Sequence, residues 1–146
     1  MELIRLNQKI HSTVNTLKIK YNTSDPFELI DYLDFEYFNT SLGSRLGCYF
    51  MIQRSKCIFL NNSIENQYMR RIIAAHELGH AILHPNINCY FIKNYTLYST
   101  HAFEIEANTF AAELLISDDI NKYNGYTIEQ IAAFENVIPE LVKLKI

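Results

Sequence analysis

The sequence predicts an α+β fold with a small antiparallel sheet among several helices. Three observations point to it. Residues 35–60 hold short aromatic and branched runs, FEYF, CYFMI and CIFL, separated by Gly43, Gly47 and the polar run Gln53–Lys56. On either side of them apolar residues recur at helical spacing. Glycine and proline number only four and three in 146 residues, and no repeat or linker is visible, so one domain is expected.

The elements follow in order. Ile4, Ile10, Val14 and Leu17 give residues 3–18 a helical period. Asp25, Pro26 and Glu28 suit the N-cap, first-turn and capping-box positions of a second helix, which ends near Asp34. The three runs of residues 35–60 form two or three antiparallel strands on tight loops. A third helix runs from about Gln67 to His84 and stops at Pro85. Residues 86–100 lack a period and read as a loop or lid. A fourth helix spans about Ala102 to Ile116, ended by Ser117, Asp118 and Asp119. Thr127 with Gln130 caps a short helix to about Asn136, and Pro139 opens the last one.

The totals exclude several classes. Apolar residues make up 49%, too many for a disordered tail. A net charge of −3, from 13 basic and 16 acidic residues, is no footprint for direct nucleic-acid binding. Cys48, Cys57 and Cys89 are odd in number and far apart, which fits reduced thiols rather than a disulfide framework or zinc ribbon. MELIRLNQKIHSTVNTLKIK is broken by polar residues every two or three positions, so neither a signal peptide nor a membrane span is expected. The expected location is the cytoplasm and the expected role regulatory.

The chemistry concentrates in AAHELGHAILH, Ala74–His84. Histidines at i and i+4 share a helix face, so His76 and His80 can reach one metal ion. Catalytic zinc needs a third protein ligand and one open position. Glu77 lies about 100° around the helix from His76, near the metal but not aimed at it, where it can accept a proton from activated water. The bland alternative is a helix with scattered histidines. Against it, the flanking Ile72, Ile73, Ala74, Ala75, Ile82 and Leu83 bury the helix, and buried polar groups need partners.

The third ligand lies elsewhere. In a pattern extended by Gly-x-x-His, the two slots hold Leu83 and Asn86. His76, His80 and His84 would span a line of about 12 Å along the helix, too long for one ion at about 2 Å. His84 is therefore expected to hydrogen-bond near the helix end. Glu104, Glu106 and Glu113 remain. Glu106 and Glu113 share a direction with Thr109, a polar face expected to meet solvent. Glu104 points with Ala107, Asn108 and Ala111 toward the apolar face, where a carboxylate without a partner is costly. Glu104 is the expected ligand and Glu106 the fallback. Asn108, one turn on, is placed to hydrogen-bond a ligand histidine; the alternative is an amide paired with backbone.

AAHELGHAILH followed some twenty residues later by EIEANTFAAELLI resembles the ImmA/IrrE family of small zinc metallopeptidases. The resemblance covers roughly residues 40–146, from GCYFMIQRSKCIFLNN through ISDD to GYTIEQIAAFENVIPELV. It implies His76 and His80 as zinc ligands, Glu77 as base, and Glu104, four before Asn108, as third ligand. It implies a minimal, gluzincin-like zincin, with the small antiparallel sheet packed on the motif helix and the glutamate-ligand helix. The expected single domain then runs from N-terminal helices over 1–34 through a zincin core over 35–116 to short C-terminal helices over 117–146. The resemblance also implies an endopeptidase that cleaves a helix-turn-helix repressor, often one encoded beside it on a phage or mobile element.

For the oxyanion, Tyr98 and His101 precede the Glu104 helix and are candidates, against a plain packing role. A strand edge near Cys57–Leu60 is expected to hold the substrate. His11 has no argued role. Two other readings compete. The tail Thr127–Val142 resembles part of a DNA-binding helix pair, but Glu129, Glu135 and Glu140 against Lys143 and Lys145 favour a closing or docking role. A non-proteolytic anti-repressor with structural zinc would have no need of Glu77.

Overall fold

The computed structural model of the chain describes residues 1–88 and 102–146 in full, and residues 97–101 by their helical backbone. Helix α1 (Glu2–Tyr21) turns Ile10 and Val14 inward and ends at Asn22 in the left-handed conformation, while Ile4 stays on the surface. Asp25 caps α2 (Pro26–Tyr32) by accepting from the Phe27 amide, with Pro26 in the first turn, as the local sequence requires.

Three strands follow: β1 (Glu36–Thr40), β2 (Gly47–Ile52) and β3 (Ser55–Asn61). Their order is β1-β3-β2, with β3 antiparallel to β2 and parallel to β1. The sheet is thus mixed, where an antiparallel one was expected. The cause lies in the two connections. Gln53 and Arg54, both at positive φ, make a two-residue turn that folds β3 tightly back on β2. The longer link, residues 41–46, leaves β1 and β2 about 9.5 Å apart, room for one strand between them. The buried Asn61 side chain fixes that link by donating to the Gly43 and Arg45 carbonyls.

Asn66 caps α3 (Gln67–Leu83), accepting from the Tyr68 and Met69 amides. The fourth helix, α4 (Leu97–Leu115), starts five residues before the position read from the sequence. Of the expected loop or lid, residues 89–96 lie outside the described residues. A 3-10 turn (Ile120–Tyr123) leads to α5 (Ile128–Glu135), whose Thr127 and Gln130 form the full capping box, and to α6 (Pro139–Lys145).

One apolar core joins Ile10 and Val14 of α1, Leu29 and Ile30 of α2, Tyr49 and Ile58 of the sheet, Leu78 of α3, Phe110 and Leu114 of α4 and Leu141 of α6. The central helix α4 touches α3, α1 and α6. Lys145 donates to the Ile116 carbonyl at 2.7 Å and Lys18 to that of Glu113 at 2.7 Å, so two cations meet the carbonyl end of α4. Among the described residues no helix is long and apolar enough to cross a membrane.

Candidate metal centre

Helices α3 and α4 approach closely because of Gly79. A β-carbon there would stand 3.1 Å from the Phe110 β-carbon and 3.2 Å from both the α-carbon and the carbonyl oxygen of Ala107. Glycine inside a helix costs about 1 kcal/mol relative to alanine, so its place here has a packing reason. The crossing sets His76 and His80 of α3 opposite Glu104 of α4. Gly79→Leu is expected to force the helices apart, lowering stability by about 1–3 kcal/mol and weakening metal binding. A urea midpoint and a zinc titration check both effects.

The three side chains meet at one point. His76 Nε2 lies 3.0 Å from one Glu104 carboxylate oxygen, His80 Nε2 lies 3.1 Å from the other, and the two Nε2 atoms are 3.2 Å apart. Four ligands at zinc–nitrogen distances of about 2.0–2.1 Å in a tetrahedron stand about 3.3 Å from each other. The separations of the two Nε2 atoms from each other and from the carboxylate oxygen each faces are therefore close to those zinc requires. Two imidazoles with one carboxylate are also a donor set that catalytic zinc takes. All three residues line a cavity of about 550 Å³.

The electrostatics favour a cation. Burial pushes the Glu104 carboxyl upward, but hydrogen bonds from His76 and His80 outweigh it and hold the group well below the usual carboxylate range. Burial also pushes the His80 imidazole down, and the net shift is downward, toward the neutral form that binds metals. For His76, burial lowers the pKa, yet Glu104 and the charge of Glu77 overcome it and the net shift is upward. A divalent cation would take the place of that proton.

The remaining predicted residues fall as follows. Glu77 is buried and lines the same cavity. Asn108 Oδ1 lies 2.7 Å from His76 Nδ1, so the amide oxygen accepts from the ring. His84 is buried, with Nδ1 3.1 Å from His80 Nδ1. The expectation of a solvent-facing polar stripe fails. Thr109 is 4% exposed, Glu106 bonds to His84 Nε2 at 2.5 Å, and Glu113 bonds to His11 at 2.7 Å. Helices cover α4 on several sides, so that stripe has no free solvent to face. Glu106, the fallback ligand, is thereby placed on His84 rather than at the triangle. Tyr98 and His101 lie outside the described side chains.

A second group, His11, Glu113 and Asp118, also brings three donors together. Its centre is held by an ammonium: Lys145 Nζ stands 3.2 Å from Glu113 and 2.5 Å from Asp118. It is an ion-pair knot that pins α6 to α4.

Two features were missed in the sequence. A β-carbon on Gly47 would lie 2.8 Å from Ile73 Cγ2 and 3.1 Å from Glu77 Cγ, so glycine lets strand β2 lie directly on α3 beside the glutamate. And the strand proposed to hold substrate, β3, is central and paired on both edges. The edge beside the cavity is β2, whose Gly47 and Tyr49 line it.

Residues 30–146 match the IrrE N-terminal-like domain, peptidase M78. The chain is 40% identical over 140 residues to uncharacterized immunity region protein 2 of Bacillus phage phi105, covering 93% of this chain and 88% of that one. It is 29% identical over 139 residues to metallopeptidase ImmA of Bacillus subtilis strain 168, covering 90% of this chain and 78% of that one.

Proposed function

Since the chain belongs to the IrrE N-terminal-like peptidase family, we propose that it is a zinc-dependent endopeptidase, with the metal held by His76, His80 and Glu104 and Glu77 as general base. The observation that carries this reading is the meeting of the His76 and His80 Nε2 atoms, 3.2 Å apart, with the two Glu104 carboxylate oxygens, one 3.0 Å from His76 and the other 3.1 Å from His80, in the cavity that Glu77 also lines. Zinc held there supplies Lewis acidity, which polarises a carbonyl and acidifies water. Glu77 accepts the proton of the attacking water and hands it to the leaving amine. Asn108 keeps His76 oriented through Nδ1.

The β2 edge is the proposed substrate seat. Ile52 and Ser55 flank the two-residue turn, so Ile52, Phe50 and Cys48 aim their peptide groups at β3. Met51, Tyr49 and Gly47 aim theirs outward. The Met51 amide is taken by Asn88 Oδ1 at 2.8 Å, so the proposed seat for an added extended peptide is the part of the edge that lines the cavity, at Gly47 and Tyr49. The architecture is read as a gluzincin-like minimal zincin in one domain, acting in the cytoplasm.

The substrate is proposed to be a helix-turn-helix repressor. The name of the phage relative, an immunity region protein, and the metallopeptidase name of the bacterial one support this. The test is incubation of the zinc-loaded protein with the repressor encoded beside its gene. Two repressor fragments are expected, and none with a chelator. An intact repressor that nonetheless leaves its DNA would favour the non-proteolytic anti-repressor.

A further inference from the structure

His84 and Glu106 are assigned no part in the reaction by the reading above, yet both are directed at its centre. Glu106 Oε2 lies 2.5 Å from His84 Nε2, His84 Nδ1 lies 3.1 Å from His80 Nδ1, and His80 Nε2 lies in the triangle with His76 and Glu104. The chain of contacts runs from a carboxylate through two imidazoles to the metal position. His84 is 5% exposed and His80 4%. Water therefore has little access to the nitrogens between them, and each must be satisfied by the other.

The proton positions follow from the chemistry of the partners. An ionised carboxylate only accepts, so His84 Nε2 carries a hydrogen and donates it to Glu106. A neutral His84 then has a bare Nδ1, which accepts. His80 must supply the hydrogen between the two rings from its own Nδ1. Its Nε2 is left with a free lone pair pointing at His76 and Glu104. In the other tautomer His80 would carry its hydrogen on Nε2, where a metal bond is impossible.

We propose that Glu106 and His84 act as a positioning relay that holds His80 in its metal-binding tautomer. The inference rests on the proposed metal centre. Asn108 does the corresponding work for His76 with a single amide oxygen at 2.7 Å. The two histidines are thus supported differently: one by a neutral amide, the other by a carboxylate acting through an imidazole. Local structure holds the relay in place. His84 ends α3, its amide donating to the His80 carbonyl at 2.8 Å, and its ring stands 4.6 Å from that of Phe103 on α4. The spacing of four residues that disqualifies His84 as a third ligand on the same ion is the spacing that sets its ring beside His80.

The test measures zinc affinity by chelator competition on the full chain, with the thermal midpoint of the metal-free protein as a check on folding. His84→Phe keeps the aromatic contact with Phe103 and removes both nitrogens. It is expected to bind zinc about 10–100-fold more weakly, with a metal-free midpoint near that of wild type. His84→Gln restores an acceptor for the His80 Nδ1 hydrogen and is expected to recover most of the affinity. Glu106→Ala tests the far end, and a loss of about 10-fold is expected. Wild-type affinity in His84→Phe, or no recovery in His84→Gln, overturns the relay while leaving the metal centre standing. A wild-type chain that binds no zinc overturns the metal centre, and the relay with it.

Discussion

Glu77→Gln is expected to bind zinc as wild type does and to lose peptidase activity by about 10²–10⁴-fold. The substitution keeps the shape of the side chain and removes its ability to accept a proton. Space is the reason shape matters. Glu77 is 6% exposed, and the bare α-carbon of Gly47 lies over it, so a larger group has nowhere to go. The proposed metal ligands are His76, His80 and Glu104, which the substitution leaves in place. Metal content and rate therefore separate. Zinc per chain, measured by elemental analysis, stays at the wild-type value while the rate of substrate cleavage collapses. Cleavage within a few-fold of wild type would remove Glu77 from the chemistry and leave it a buried charge beside His76.

Glu104→Ala is expected to abolish stoichiometric zinc and all cleavage together. Glu104 bridges both Nε2 atoms and brings the only carboxylate of the triangle, the negative charge against which a dication is bound. Its pKa, held well below the ordinary range by hydrogen bonds from His76 and His80, keeps it ionised at neutral pH. Without it two neutral imidazoles remain, one short of the three protein ligands of a catalytic zinc site. The Glu104 side chain is 42% exposed, so its removal leaves no buried cavity and the fold is expected to persist. Circular dichroism like that of wild type, with zinc absent after dialysis, is the predicted pair of results. Full zinc occupancy in Glu104→Ala would move the third ligand elsewhere.

Much of the candidate site was legible because its determinants are local. A spacing of four places His76 and His80 on one face whatever the rest of the chain does. Helix direction chose Glu104 over Glu106 on the premise that Glu104 faces the core; the structure sets Glu104 beside both histidines but leaves its side chain the more exposed of the two, 42% against 22%. The caps at Asp25 and Thr127 are legible for the same reason, since their bonds close within three residues.

What the sequence concealed depends on partners distant in the chain. The parallel pairing of β1 with β3 is set by how a six-residue link and a two-residue turn share space, and no periodicity reports that. Glu106 was assigned to solvent because a helical wheel shows directions, not neighbours. A signal was nonetheless present: Phe110, Ala112 and Leu115 put apolar residues on more than one side of α4, the mark of a helix covered on several sides. On such a helix each carboxylate needs a partner. Glu106 finds His84 and Glu113 finds His11 and Lys145.

The central claim is that the His76–His80–Glu104 triangle is a metal centre. It is tested most directly by an anomalous difference map, at the zinc absorption edge, from crystals of the zinc-loaded protein. The account predicts one peak per chain, bonded to Nε2 of His76, Nε2 of His80 and the Glu104 carboxylate. A peak on His84 and Glu106, or an empty triangle at saturating zinc, would contradict it.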